Sequence, residues 1–262
     1  MLSPVAFIAP KGPSNRAENS SNFAPNLVRA LSAAFLIVFS VFASAQPDDV
    51  DPLEGINRDI YAFNTVADKY VVKPIAQAYR WVLPDVAERG VGRFFDNLEE
   101  IGSAINNLAQ GKVSAAANNS GRFLVNSTLG IVGFMDVADG MGLEKEDFED
   151  FGQTLAVWGV DSGPYLMLPF IGPTTLRDGP ALFVDGQTLP QTHLEDIGAR
   201  NAARTLDIVS IRAKYIDADE ALPEKDPYSF VRDAYLQRRE YLILDGEIVD
   251  DFGSDGFDDF LD

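Results

Sequence analysis

The chain has 262 residues, no cysteine, one histidine and a formal net charge of −19. Lack of cysteine excludes disulfides, thiolate metal sites, a cysteine nucleophile and a lipid-modified cysteine. A strongly acidic surface without an offsetting Lys/Arg cluster repels phosphate backbones, so nucleic acid is an unsuitable partner, and contact with a membrane would have to rely on apolar insertion.

In chain order, Arg29 precedes an apolar run over 31–42 and the small residues Ala43, Ser44 and Ala45. This pattern reads as a secretory signal peptide with a polar leader, cleaved before Gln46. The run is 12 residues, short of the roughly 20 that a membrane-spanning helix needs, so a retained anchor is the weaker reading. Its removal takes away Lys11, Arg16, Arg29 and Glu18, a net of +2, and leaves 217 residues at −21.

The mature chain reads as one domain over 46–244 followed by an acidic tail over 245–262. Leu53, Ile56, Ile60, Phe63 and Ala67 recur at helical spacing after Asp51 and Pro52. Pro74 is expected to begin a second helix and Pro84 to end it. A longer helix is expected from Asp85 to a stop at Gly111, with Val86, Phe94, Leu98, Ile101, Ile105 and Leu108 on one side. An Ala/Asn-rich helix follows over 114–129, then turns at Gly130 and Gly133. Further helical patterns cover 193–222 and 227–244. Period-two alternation and hairpin dipeptides are missing, so the fold class is all-α.

Residues 151–178 stand apart because they are apolar and aromatic yet broken every few residues by Gly159, Gly163, Pro164, Pro169, Gly172 and Pro173. They read as too interrupted for an ordinary core helix and suit a lipid-facing or cavity-lining element. The tail carries eight acids and no base, with Phe252, Phe257, Phe260 and Leu261 between them. Disorder is expected there; a docking motif for a basic partner is the alternative.

Four stretches carry a family resemblance: DPLEGINRDIYAFN over 51–64, GRFLVNSTLGIVGFMDVA over 121–138, FGQTLAVWGVDSGPYLMLPFIGPTTLRD over 151–178, and DPYSFVRDAYLQRREYL over 226–242. Together they resemble the MlaA, or VacJ, family. The resemblance implies a single ring-like α-helical domain in the outer membrane of a diderm bacterium, facing the periplasm. Such proteins remove phospholipids that have strayed into the outer leaflet and pass them to a periplasmic lipid carrier, often beside trimeric porins. It implies no enzymatic activity and no cofactor. One departure stands out: the family is typically anchored through a lipidated cysteine, which this sequence lacks, leaving an apolar surface, a porin or an uncleaved leader to hold it.

On that reading Phe134, Tyr165, Leu166, Met167, Leu168, Phe170 and Ile171 supply a surface or channel wall for acyl chains; a closed hydrophobic core is the alternative. Arg122 and Arg177 are candidates for a headgroup phosphate, with structural ion pairs as the alternative. Trp81, Trp158, Tyr70, Tyr79 and Tyr235 suit a membrane interface or core packing. His193 is the lone histidine, and no nucleophile elbow, HExxH or P-loop occurs. Acid pairs such as Glu99 and Glu100 could serve a glycosidase only if brought across a bond, and the acids over 144–150 lack calcium-loop spacing. The competing reading is a soluble periplasmic scaffold.

Overall fold

The computed structural model describes residues 50–247. The expected signal peptide and residues 248–262 of the acidic tail lie outside them. The chain divides at Pro52, and a second compact unit starts at Leu53.

Helix α1 (Glu54–Ala67) runs through a five-residue π turn (Asp68–Val72) into α2 (Lys73–Val82). Pro74 stands in the first turn of α2, as expected, but no break separates α2 from α1. The wide turn, in which the Lys73 amide donates to the Asp68 carbonyl, accommodates the missing proline donor. Pro84 does end α2, because it forces Leu83 into an extended conformation. Helix α3 (Asp85–Gln110) opens with Asp85 and Glu88 in its first turn, where the helix dipole favours carboxylates, and closes on left-handed Gly111. Helix α4 (Val113–Thr128) returns along α3 in the most extensive helix pairing of the domain.

The interrupted segment is not one element. Helix α5 (Phe151–Val157) is capped by Asp150, which accepts from the Gln153 amide at 2.8 Å. Strands β1 (Tyr165–Leu168) and β2 (Gly172–Thr175) then pair antiparallel, Tyr165 opposite Thr175 and Leu168 opposite Gly172. The helical reading missed this hairpin. Its loop places Phe170 at φ 64° and Gly172 at φ 103° instead of using an Asn-Gly or Asp-Gly turn. Helices α6 (Asp178–Thr188), α7 (Ile197–Lys214) and α8 (Pro227–Ile243) complete the domain. Asp196 caps α7, and Asp226 caps α8 ahead of Pro227.

The helices are amphipathic, but their polarity points the wrong way for water. On α3 much of the expected apolar stripe faces outward: Val86, Ile105 and Leu108 are exposed and Phe94, Leu98 and Ile101 half-buried, whereas Asn97, Glu100, Ser103, Asn106 and Asn107 are buried. Helix α4 repeats this, burying Asn119, Arg122 and Asn126 and exposing Val113 and Leu124. A small apolar core survives around Tyr165, Met167 and Tyr228. Burying amides and charges is tolerable where they are hydrogen-bonded, and each amide here makes a bond through its nitrogen: Asn107 donates to Asn119 at 2.8 Å, Asn119 to Glu100 at 2.7 Å, and Asn97 to Ser127 at 2.9 Å, while the side-chain oxygens of Asn97 and Asn107 are buried without a partner among the described residues. Small residues let the helices close up. A Cβ on Gly102 of α3 would lie 2.8 Å from the Thr188 hydroxyl of α6. Polar and small residues at helix seams with apolar residues outside is how helices pack when their solvent is lipid.

Candidate functional site

The hairpin is held from the side by α1. Asn57 donates to the Tyr165 carbonyl at 3.1 Å and accepts from the Met167 amide at 2.9 Å. Two helical turns on, Asn64 donates to the Leu168 carbonyl at 2.9 Å and accepts from the Phe170 amide at 2.8 Å. The Asn57 side chain thus copies a neighbouring strand along β1, and the Asn64 side chain holds the end of β1 and the turn that follows it. The arrangement separates the candidate apolar residues. Tyr165 and Met167 turn inward onto Tyr228, Ile60 and Val231, as the closed-core alternative has it. Leu166 and Leu168 are half-buried on the other face. Phe170 and Ile171 project from the tip, Phe170 at 79% exposure with its ring edge-on to Phe63 of α1.

Phe134 lies elsewhere, folded onto α3, where its ring occupies the space that a side chain on Gly90 would need. The loop that carries it is unusual. Ile131 and Val132 are both left-handed, at φ 53° and 57°, and both exposed. Two β-branched residues in that region store backbone strain, and here the strain presents apolar side chains outward.

Both arginines singled out from the sequence are buried in ion pairs. Arg122 of α4, 2% exposed, donates to Glu100 at 2.8 Å, to Asp136 at 2.8 Å and to the Leu143 carbonyl at 2.6 Å. Arg177 donates to Asp178 at 2.7 Å, and Asp178 also accepts from Arg239 at 2.9 Å. Burial pushes the Asp178 carboxyl up, but the hydrogen bond from Arg177 and the charge of Arg239 hold it below the usual carboxylate range. Gly152 is required beside this cluster, since a Cβ there would meet Asp178 and Arg239 at 2.5 and 2.6 Å. These guanidinium groups spend their donors inside the protein.

Charges without partners gather at a site the sequence did not reveal. A cavity of about 580 Å³ opens between α3 and α7, with Phe95, Phe148 and Ile211 among its apolar walls. Arg89 and Arg93 line it one turn apart on α3, with Lys214 of α7. Among the described residues, none of these three makes an ion pair. Glu99 and Asp207 line it as well, and one Asp207 oxygen is buried without a hydrogen bond. Burial, reinforced by the charge of Asp207, pushes the Glu99 carboxyl up to about 7; burial, reinforced by Asp96, pushes Asp207 to about 6. The Arg89–Arg93 spacing is visible in the sequence, but the approach of α7 is not.

The exterior completes the site. Trp81 is 87% exposed, and Trp158, Tyr70, Phe183 and Ile197 stand out from the surface, whereas Tyr79 and Tyr235 are half-buried. Among the described residues, no helix is long and apolar enough to cross a membrane. His193 is a surface residue whose Nε2 lies 2.7 Å from the Gln187 carbonyl.

Comparison with known proteins agrees with this architecture. The model of the MlaA lipoprotein family matches residues 49–242. The intermembrane phospholipid transport system lipoprotein MlaA of Escherichia coli (strain K12) is 38% identical over 224 residues, covering 84% of this chain and 88% of that protein. Its counterpart in Haemophilus influenzae is 33% identical over 205 residues, covering 76% and 82%. A chain solved in work on the "Structural basis for maintenance of bacterial outer membrane lipid asymmetry" aligns with a TM-score of 0.66 at 36% identity, covering 74% of this chain and 98% of its own length. With the family's pattern matched from the first helix to the last, this chain belongs to the MlaA lipoprotein family.

Proposed function

We propose that this chain is the outer-membrane component of an intermembrane phospholipid transport system. It removes phospholipid from the outer leaflet and hands it to a periplasmic lipid carrier, maintaining lipid asymmetry without catalysis. The observation that carries this reading is the inverted polarity: amides and ion pairs fill the helix seams while Trp81, Val86, Leu108, Phe170 and Phe183 face outward. A water-soluble scaffold would bury that surface. Apolar exterior in place of a spanning helix also offers a way to sit in lipid without a lipidated cysteine, with a trimeric porin as the expected neighbour. The exposed hairpin tip and the strained loop at 131–132 supply apolar contacts for acyl chains.

The test is to express the full chain in a diderm host, isolate its outer membrane and measure phospholipid bound to the purified protein by mass spectrometry. Recovery with the outer membrane and with bound phospholipid supports the reading. A soluble, lipid-free product overturns it in favour of the scaffold.

A further inference from the structure

The cavity between α3 and α7 poses a chemical question that the rest of the fold does not. The chain is acidic, and most of its arginines sit against carboxylates: Arg58 on Asp226, Arg122 on Glu100, Arg212 on Asp68 and Arg239 on Asp178. Arg89 and Arg93 do not, although Glu99 and Asp207 line the same cavity without a cationic hydrogen-bond partner. Among the described residues, three exposed cations without a carboxylate partner and two half-buried carboxylates thus line one open cavity of about 580 Å³, beside the Arg80–Asp217 pair, Glu88 and Asp96. That volume falls within the range of ordinary small-molecule pockets.

We propose that this cavity binds a zwitterionic phosphate–amine headgroup, that of phosphatidylethanolamine. Arg89, Arg93 and Lys214 hold the phosphate, and Glu99 with Asp207 receive the ammonium. The inference rests on the lipid-transport reading and deepens it by naming a preferred substrate. Two guanidinium groups one helical turn apart can fork onto a phosphodiester. An ammonium between two carboxylates relieves the like-charge repulsion that makes them hard to ionise side by side, a state in which each charge otherwise lacks compensation. Phe95 and Ile211 give the glycerol end an apolar wall. A purely anionic headgroup would satisfy the arginines and leave the carboxylates as they are.

The full chain, purified in detergent, is equilibrated with vesicles of equimolar phosphatidylethanolamine and phosphatidylglycerol, and the bound lipid is identified by mass spectrometry. The expected result is about a tenfold preference for phosphatidylethanolamine, the size of one charge-assisted contact. Glu99→Gln with Asp207→Asn should abolish the preference while lipid remains bound. Arg89→Gln with Arg93→Gln should lower the uptake of both lipids. An independent arm leaves the protein untouched: N-acetyl phosphatidylethanolamine keeps the phosphate, lacks the ammonium and should lose the advantage in wild-type protein. Soluble glycerophosphoethanolamine, added in excess, separates the two sources of this chemistry, displacing the lipid if the free headgroup suffices and leaving it in place if acyl chains are required. Equal uptake of the two lipids by wild-type protein, or an unchanged preference after acetylation, overturns the proposal while bound phospholipid still supports transport. Absence of any phospholipid overturns both.

Discussion

Glu99 and Glu100 are neighbours on α3 and meet opposite environments. Glu100 enters the seam with α4 and finds Arg122 at 2.8 Å and the Asn119 amide at 2.7 Å. Glu99 enters the cavity towards α7, finds Asp207 and no donor, and its carboxyl is pushed up to about 7. The first charge is met by built-in donors, and the second has none and titrates near neutrality. Within one helix, the difference shows that this fold does not avoid buried charge. It settles each charge wherever a donor is built in and leaves the remainder responsive to pH or to a ligand.

The most drastic way to break the comparison is Arg122→Met, which strands Glu100 and Asp136 with no cation. A loss of roughly 3–5 kcal/mol is expected, the cost of an orphaned buried charge. Denaturation in detergent should show it as a large fall in midpoint or as failure to accumulate. Adding Glu100→Leu should recover part of the loss, because removing both partners is milder than removing one.

The opposite substitution, Glu99→Gln, should stabilise the protein at pH 8. A carboxyl raised from 4.5 to about 7 in the folded state favours folding fully below about pH 4.5, and that contribution is lost as pH rises through 7. Asp207 acts in the same direction from its ordinary 3.8 up to about 6. Wild-type stability should therefore fall between pH 5 and 8, and the amide should flatten that fall by something on the order of 2 kcal/mol. Melting curves at the two pH values decide it, and an unchanged slope would remove Glu99 from the account.

Neutral amides sharpen the contrast at smaller scale. Asn57→Ala should cost about 1–3 kcal/mol by stranding the buried Tyr165 carbonyl and Met167 amide, and Asn64→Ala less because its site is half-open. Hydrogen exchange should quicken at Met167 in the first variant and at Phe170 in the second. At the bottom of the scale, Arg238→Ala removes an exposed pair with Asp147 and should shift the midpoint by no more than about 0.5 kcal/mol.

Much of the helical skeleton was legible because helical period, prolines and glycine stops do not depend on which side faces the solvent. Val86, Ile105 and Leu108 gave the right spacing on α3 although they turn away from the interior. The short helices α5 and α6 escaped notice among glycines and prolines. The hairpin escaped it because its second neighbour is a pair of side chains, with Asn57 108 residues from Tyr165. The family motifs pointed to the segment at 165–171 and could not tell Tyr165, which is buried, from Phe170, which is exposed. Arg122 looked like an isolated cation because its partners Glu100 and Asp136 arrive from other segments. The cavity was hidden for the same reason: the approach of Asp207 to Glu99 is a property of how α7 lies along α3.

The two asparagines on α1 set a length as well as a contact. Seven helical residues advance about 10.5 Å and return to nearly the same face; three strand residues, the interval between the two backbone sites they grip, advance about 10 Å. Helix and strand therefore keep step over this distance, and α1 acts as a gauge against which the hairpin is measured. One residue inserted or removed between Asn57 and Asn64 would swing one amide round by about 100°. Only half of the hairpin edge could then be matched at a time, and the position of the Phe170 tip would no longer be fixed by the helix.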